Sequence, residues 1–303
     1  MIRIDSVSKK FDTVQSLENV SVIIENGTIF GLIGSNGSGK STLLRIMSGV
    51  YTPSEGSVTY DGEHVFENSK VKKNIVYLSD DQYFLPNATP ADMAKLYKSA
   101  YRTFSEEKYK EYLRFFGLDE MRKISTFSKG MQKQVAILLG LACRSEYLLC
   151  DETLDGLDPV MRSSVRRIIA TEVAERGMCV VFASHNLKEL EDICDHVALL
   201  HKGQLLFEAG LDDIKLGIHK IQASFDKNRA DLAERQFADL HALSVERRGS
   251  LFTVVAKGDE GSISDFIGSL GPVFMEFIPL TLEEIFIAEM EERGYEFNES
   301  IIG

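Results

Sequence analysis

No stretch of this 303-residue chain approaches the roughly 20 consecutive apolar residues that a helix needs to cross a bilayer. The opening Met1-Ile2-Arg3-Ile4-Asp5 also lacks the apolar core of a signal peptide. Together these absences predict a cytoplasmic chain whose dealings with a membrane run through a partner. Blocks of lysine and arginine are missing too: 34 basic residues stand against 46 acidic ones, a formal net charge of -12. A surface of that sign repels a phosphodiester backbone, so nucleic acid is not an expected ligand. Cysteine is scarce. Cys143, Cys150, Cys179 and Cys194 lie in or beside apolar stretches, with neither the pairing of a zinc site nor a secretory context, and read as buried free thiols. Internal repeats and low-complexity segments are also lacking, which excludes a repeat architecture.

What is present is enough apolar material, 44% of residues, for one full-sized core with some left for a small second domain. Strand patterns occupy Ile2 to Ile4, Val20 to Glu25 and Thr28 to Ile33, the last two joined by an Asn26-Gly27 turn that predicts a hairpin. A second hairpin is expected near Asp61-Gly62. Between them a glycine-rich loop, Gly34 to Gly39, leads into a helical pattern over Lys40 to Ser48. Helices then dominate: Thr89-Pro90 to Arg102, Ser105 to Phe116 with Gly117 as a stop, and from Ser128 to about Cys143. These form a helical subdomain over about 84–145, inserted into the sheet-forming sequence. Apolar runs Tyr147 to Cys150, Cys179 to Ala183 and Val197 to Leu200, with a helix from Pro159 to Arg176, alternate as in parallel-sheet proteins.

Near Leu216 short alternating strands take over, which places a linker there and divides the chain into domains 1–215 and 216–303. The second reads as strand 219–225, helix 229–238, strand 241–247, a turn at Arg248-Gly249, strand 250–256, helix 262–269 and strand 272–278. That β-α-β-β-α-β order is the ferredoxin-like plan, closed by an amphipathic helix from Leu282 to Arg293. The expected fold class is α/β, a mixed-sheet core with an antiparallel β subdomain and a helical insert, followed by a small α+β domain.

Gly34-Ser35-Asn36-Gly37-Ser38-Gly39-Lys40-Ser41 fits the phosphate-loop pattern, in which glycines let successive backbone N–H groups turn inward around phosphates. Lys40 supplies a point charge and Ser41, with Thr42 beside it, hydroxyls. Tyr147 to Cys150 ends in Asp151-Glu152, which places two carboxylates at the carboxyl edge of a strand beside that loop. Asp151 suits a magnesium ion and Glu152 an attacking water. A strand ending in two acids is by itself as often a solvated strand end; the phosphate loop tips the reading toward a site.

With these residues the chain resembles an ATP-binding-cassette (ABC) ATPase over about Met1 to Ala209. Phe127-Ser128-Lys129-Gly130-Met131-Gln132 resembles the family's signature motif, the segment that separates it from other P-loop proteins. Ser128 by itself is an ordinary helix cap, but a helix start carrying the Gly130 N–H can also bind a γ-phosphate presented by a second subunit. Gly156-Leu157-Asp158 resembles the loop after the catalytic acid; Asp158 before Pro159 is equally a helix start. His185, in Ala183-Ser184-His185-Asn186, matches the family's switch histidine, and Phe11 the aromatic that stacks on adenine, with a core role open for Phe11. Where the family usually has a glutamine after an apolar strand, Ile75 to Leu78 is followed by Ser79-Asp80-Asp81-Gln82. Asp80 aligns with that position, and Gln82 reaches it after a small loop shift; both stand as candidates for contacting magnesium or water.

The resemblance implies ATP and Mg²⁺ as cofactors, a head-to-tail dimer of the chain, and an integral membrane permease subunit as partner, which would hold the protein on the cytoplasmic face of the membrane. It is closest to stand-alone exporter ATPases for peptides and drugs. Tyr83, Phe84 and Leu85, at the entrance to the helical insert, are either core or the place where a membrane subunit docks. The rival class is a non-transport ABC ATPase with a soluble partner, but the chain has neither a second cassette nor a coiled-coil or zinc insertion.

Overall fold

The first two strands alternate between buried and exposed residues because one face of each looks outward. β1 (Ile2–Phe11) and β2 (Val14–Ile24) pair antiparallel, with Ile2, Ile4, Val20, Val22 and Ile24 turned into the core. The structure is a computed structural model that describes residues 1–237, 240 and 242–292. β3 (Ile29–Ile33) is different in kind: all five residues are buried. Such a strand needs covering on both faces, and it leaves the first sheet for the centre of a second one. The Asn26-Gly27 turn is therefore not a hairpin. It passes the chain between two sheets, since β2 completes its hydrogen bonds with β1 while β3 pairs with later parallel strands.

The loop after β3 runs into α1 (Lys40–Met47). β4 (Glu55–Tyr60) and β5 (Glu63–His64) form the expected second hairpin, with Asp61 and Gly62 both at positive φ, 49° and 87°, as a two-residue primed turn requires. α2 (Ser69–Lys72), capped by Asn68, leads to β6 (Ile75–Leu78). The helical insert follows. α3 (Pro90–Ala100) starts on a capping box between Thr89 and Asp92, α4 (Glu106–Phe115) on the Ser105 hydroxyl, and α5 (Lys129–Ala142) on that of Ser128. Then come β7 (Tyr147–Asp151), α6 (Pro159–Arg176), β8 (Cys179–Ser184), α7 (Leu187–Glu191), β9 (His196–His201) and β10 (Gln204–Gly210).

Two sheets result, of order β2-β1-β4-β5 and β10-β9-β3-β8-β7-β6. In the second, β9, β3, β8, β7 and β6 are all parallel, so the carboxyl ends of β3, β8 and β7 share one edge. Crevices at such an edge are where open α/β sheets bind ligands. All four cysteines are buried and unpaired, and burial raises the Cys150 and Cys179 thiols to about 12, so neither ionises near neutrality.

The chain forms two compact units, one of Met1–Asn186 with Ile193–Glu208, the other of Leu187–Asp192 with the chain from Ala209 onward. The division thus falls at Glu208/Ala209 rather than at 215/216, and the second unit also takes α7. Leu216 lies within a helix, α8 (Leu211–Gly217), which abuts β11 (Ile218–Ser224) without a linker between them. α9 (Lys227–Gln236), β12 (Ala242–Arg248), β13 (Leu251–Lys257), α10 (Glu260–Ser269), β14 (Phe274–Ile278) and α11 (Leu282–Glu292) complete the unit. Residues 238, 241 and 293, which the sequence assigned to a helix, a strand and the closing helix, lie outside the described residues. The sheet order β12-β13-β11-β14, antiparallel at each pairing, is the ferredoxin-like arrangement. Phe225, Phe237 and Phe252 meet in its core, with ring centroids 5.4 to 6.1 Å apart.

Leu149 is fully buried at the middle of β7, the strand that carries the two acids. Leu149→Ala is expected to destabilise the first unit by about 2–5 kcal/mol, from lost transfer energy plus a residual cavity, read as a lowered denaturation midpoint.

Candidate active site

The loop between β3 and α1 holds its shape because its glycines are where only glycine fits. Gly37 and Gly39 take φ of 80° and 110°, and a Cβ on Gly34 would lie 2.3 Å from the Leu200 carbonyl oxygen and 2.4 Å from Ser38 Oγ. α1 begins at Gly39 with no side-chain cap, so its first N–H groups are left for a ligand, and the buried Ser38 hydroxyl has no protein partner. A cavity of about 270 Å³ opens there, lined by Asn36 to Thr42 with Ser16, Asp80 and Glu152. Ser16 donates a 2.9 Å hydrogen bond to Thr42 Oγ1, tying β2 to α1.

Lys40 is 5% exposed. Its ammonium donates to the carbonyls of Gly34 (2.6 Å) and Ser35 (3.2 Å) and lies 3.6 Å from Glu152 Oε1. Burial lowers its pKa, and the carboxylates of Glu152, Asp151 and Asp155 act in the opposite sense. Asp151 is 1% exposed and both its oxygens are held: Ser41 donates to Oδ1 and the Tyr77 hydroxyl to Oδ2, each at 3.0 Å. Tyr77 is driven well above the usual phenol range, by burial and then by Asp151. The sequence reading missed Tyr77, because a tyrosine in an apolar strand gives no sign of which face its hydroxyl takes. Oxygen donors from Ser41 and Asp151, side by side, suit a hard divalent cation.

Glu152 leaves β7 with φ of 46°, its N–H bonded to the Ala183 carbonyl at 3.0 Å. That bend turns its side chain into the cavity, where His185 Nδ1 sits 3.0 Å from Oε2. Burial raises the Glu152 carboxyl pKa, against the pull of His185 and Lys40. Such a group is a stronger base, when ionised, than an exposed carboxylate. Of the two candidates after β6, Asp80 lines the cavity while the Gln82 amide folds back onto the Ser79 carbonyl. Asp80 also pairs with Lys133, a residue absent from the sequence reading.

The remaining candidates lie outside the lining of this cavity. Ser128 is exposed and accepts from the Met131 N–H at 3.3 Å; the Gln132 amide donates to the carbonyls of Ile124 and Phe127; Gly130 packs against the Gly156 carbonyl. Asp158 caps α6, accepting from the Met161 N–H at 2.9 Å. Phe11 is a half-exposed ring meeting Tyr51 edge-on at 5.4 Å rather than a core residue. Tyr83 and Leu85 are exposed and Phe84 half-buried, so these three are not core either.

The family model for ABC transporters matches residues 17–155. The ABC transporter ATP-binding protein YtrB of Bacillus subtilis is 32% identical over 95% of this chain and 98% of its own. This chain belongs to the ABC transporter ATP-binding proteins. Other relatives include the bacitracin transport ATP-binding protein BcrA of Bacillus licheniformis, 28% identical over 94% of each chain. The methionine import ATP-binding protein MetN 1 of Listeria monocytogenes is 32% identical over 71% of this chain and 68% of its own. Among solved structures, the dimeric cassette MJ0796 in a post-hydrolysis state with ADP and Pi superposes with a TM-score of 0.64. It is 25% identical and covers 70% of this chain and 99% of that one. The ABC cassette described here binds ATP and is an ATPase, the ATP-binding subunit of a transporter.

Gly34→Ala puts a methyl group against backbone, which cannot yield as a side chain would. The variant is expected to bind ATP at least about tenfold more weakly by calorimetric titration, with its circular dichroism retained.

Proposed function

We propose that this ABC cassette works as a head-to-tail pair of copies that powers a membrane transporter exporting peptides or drugs. The observation that carries the paired reading is a division of labour. The cavity is lined by the phosphate loop, Asp80 and Glu152, whereas Ser128 and Gly130, at the start of α5, are not among its lining residues, and Ser128 is exposed. In this reading each cavity is completed by Ser128 and Gly130 of the other copy, which reach the γ-phosphate. The dimeric state of MJ0796 supports it.

Within the cavity, Lys40 and the first N–H groups of α1 bind the β- and γ-phosphates, and the free Ser38 hydroxyl adds a donor. Ser41 and Asp151 would hold a Mg²⁺ ion, which when bound neutralises charge on the phosphates. Glu152 accepts a proton from the attacking water, and His185 holds its carboxylate in place. Phosphoryl transfer depends mostly on positioning and electrostatics, so a single copy, lacking Ser128 and Gly130 of its partner, hydrolyses slowly and pairing gates turnover.

Export is favoured by how far the relatives match. BcrA, named for bacitracin transport, aligns over 94% of this chain and so through both units, whereas the methionine import protein aligns over 71%. The second unit is then an accessory domain, and the protein is peripheral on the cytoplasmic face. No helix among the described residues is long and apolar enough to cross a membrane; in this reading a separate permease subunit supplies the pathway. The exposed Tyr83 and Leu85, at the start of the helical insert, are where that subunit docks.

Glu152→Gln is expected to reduce turnover by roughly 10²- to 10⁴-fold while keeping ATP binding, measured by phosphate release beside titration. The same variant, tagged and recovered from native membranes with ATP and Mg²⁺, should bring down an integral membrane protein in stoichiometric amount. Recovery with only soluble partners would overturn the transporter assignment in favour of a non-transport ATPase.

A further inference from the structure

Asp80 poses a problem of charge. Its carboxylate stands in the wall of a cavity that also holds Glu152 and receives a triphosphate, and like charges at such range oppose binding. Lys40 donates to the Gly34 and Ser35 carbonyls and faces Glu152. The cation that meets Asp80 comes from the helical insert: Lys133, on α5, puts its ammonium 3.1 Å from Asp80 Oδ1. The same ammonium donates a 2.9 Å hydrogen bond to the backbone carbonyl of Glu152. Lys133 is 16% exposed and Asp80 60%, so the lysine is the fixed member of the pair.

We infer that Lys133 is a positioning residue for ATP hydrolysis, neutralising Asp80 and holding the Glu152 backbone at its left-handed bend. Three elements meet at this one ammonium: the loop after β6, the end of β7 and the helix that starts at Ser128. Glu152 is held through both peptide groups that flank its Cα, by Ala183 through its N–H and by Lys133 through its carbonyl. An uncharged residue at 133 would leave Asp80 repelling the phosphates and leave the Glu152 carbonyl to the longer, 3.3 Å hydrogen bond from the Asp155 N–H. A neutral residue at 80 removes the first effect and leaves the second. Charge and positioning can therefore be separated.

The test uses the full chain and titrates ATP by calorimetry, with Mg²⁺ and with chelator, beside steady-state kcat. It rests on ATP binding at this cavity, which the wild-type titration checks first: no binding there would overturn that assignment, separately from the role of Lys133. Lys133→Met is expected to weaken ATP binding about fivefold, the scale of one partly exposed ion pair, and to lower kcat. Asp80→Asn in the Lys133→Met background should return the affinity to within about twofold of wild type while kcat stays low. Lys133→Arg, which keeps the charge, should bind ATP as wild type does, so a general loss of folding is told apart by that variant and by thermal denaturation. The inference is overturned if Lys133→Met binds ATP as wild type does, or if the folded double variant shows no recovery. It is also overturned if Asp80→Asn alone weakens binding only when Mg²⁺ is present, which would make Asp80 a metal ligand.

Discussion

Asp151 is a nearly inaccessible carboxylate, and a buried charge persists in a fold only where partners replace the water it has lost. Its partners come from two other parts of the chain, Ser41 at the start of α1 and Tyr77 in β6. Satisfying both oxygens requires α1, β6 and β7 to stand in one relation. The parallel register delivers it: Leu78 lies opposite Cys150, and Asp151 opposite Ala183, at the shared carboxyl edge. Once that relation is set, the loop before α1, Glu152 and His185 follow, because each is the first residue or two beyond a strand end or a helix start at the same edge.

The chemistry follows from burial as much as from residue type. Burial brings down the proton affinity of Lys40, while the carboxylates of Glu152, Asp151 and Asp155 act in the opposite sense. Glu152 is pushed the other way by the same burial and steadied by His185. A cation and a base lie within one ion-pair distance, 3.6 Å, beside the phosphate cradle. Pre-set electrostatics of this kind need little rearrangement at the moment of reaction.

Local sequence reasoning succeeded where the physics is local. The hairpin at Asp61-Gly62, the capping of α3 by Thr89, α4 by Ser105 and α5 by Ser128, and the span of α6 from Pro159 to Arg176 are set by backbone conformation and side-chain hydrogen bonds a few residues apart. It failed at Asn26-Gly27, where the turn signal is real but the choice of partner strand belongs to burial. The fully apolar β3 seeks the middle of a sheet. It also placed a linker at Leu216, where composition changes but a helix runs directly into β11.

The phosphate loop and the paired acids could be picked out from residue type and spacing, as could the β-α-β-β-α-β order of the second unit, whereas the signature segment and His185 were singled out by resemblance to the family. These features are written in consecutive residues, and the backbone conformations they need are encoded on the spot by glycine, proline and capping side chains. Tertiary structure alone decided which groups share the cavity. It put Asp80 at the cavity wall and folded Gln82 back on its own loop, brought Tyr77 to Asp151 across 74 residues, and set Lys133 between Asp80 and the Glu152 carbonyl. Those contacts join residues far apart in the chain, and only the register of packed strands and helices determines which of them meet.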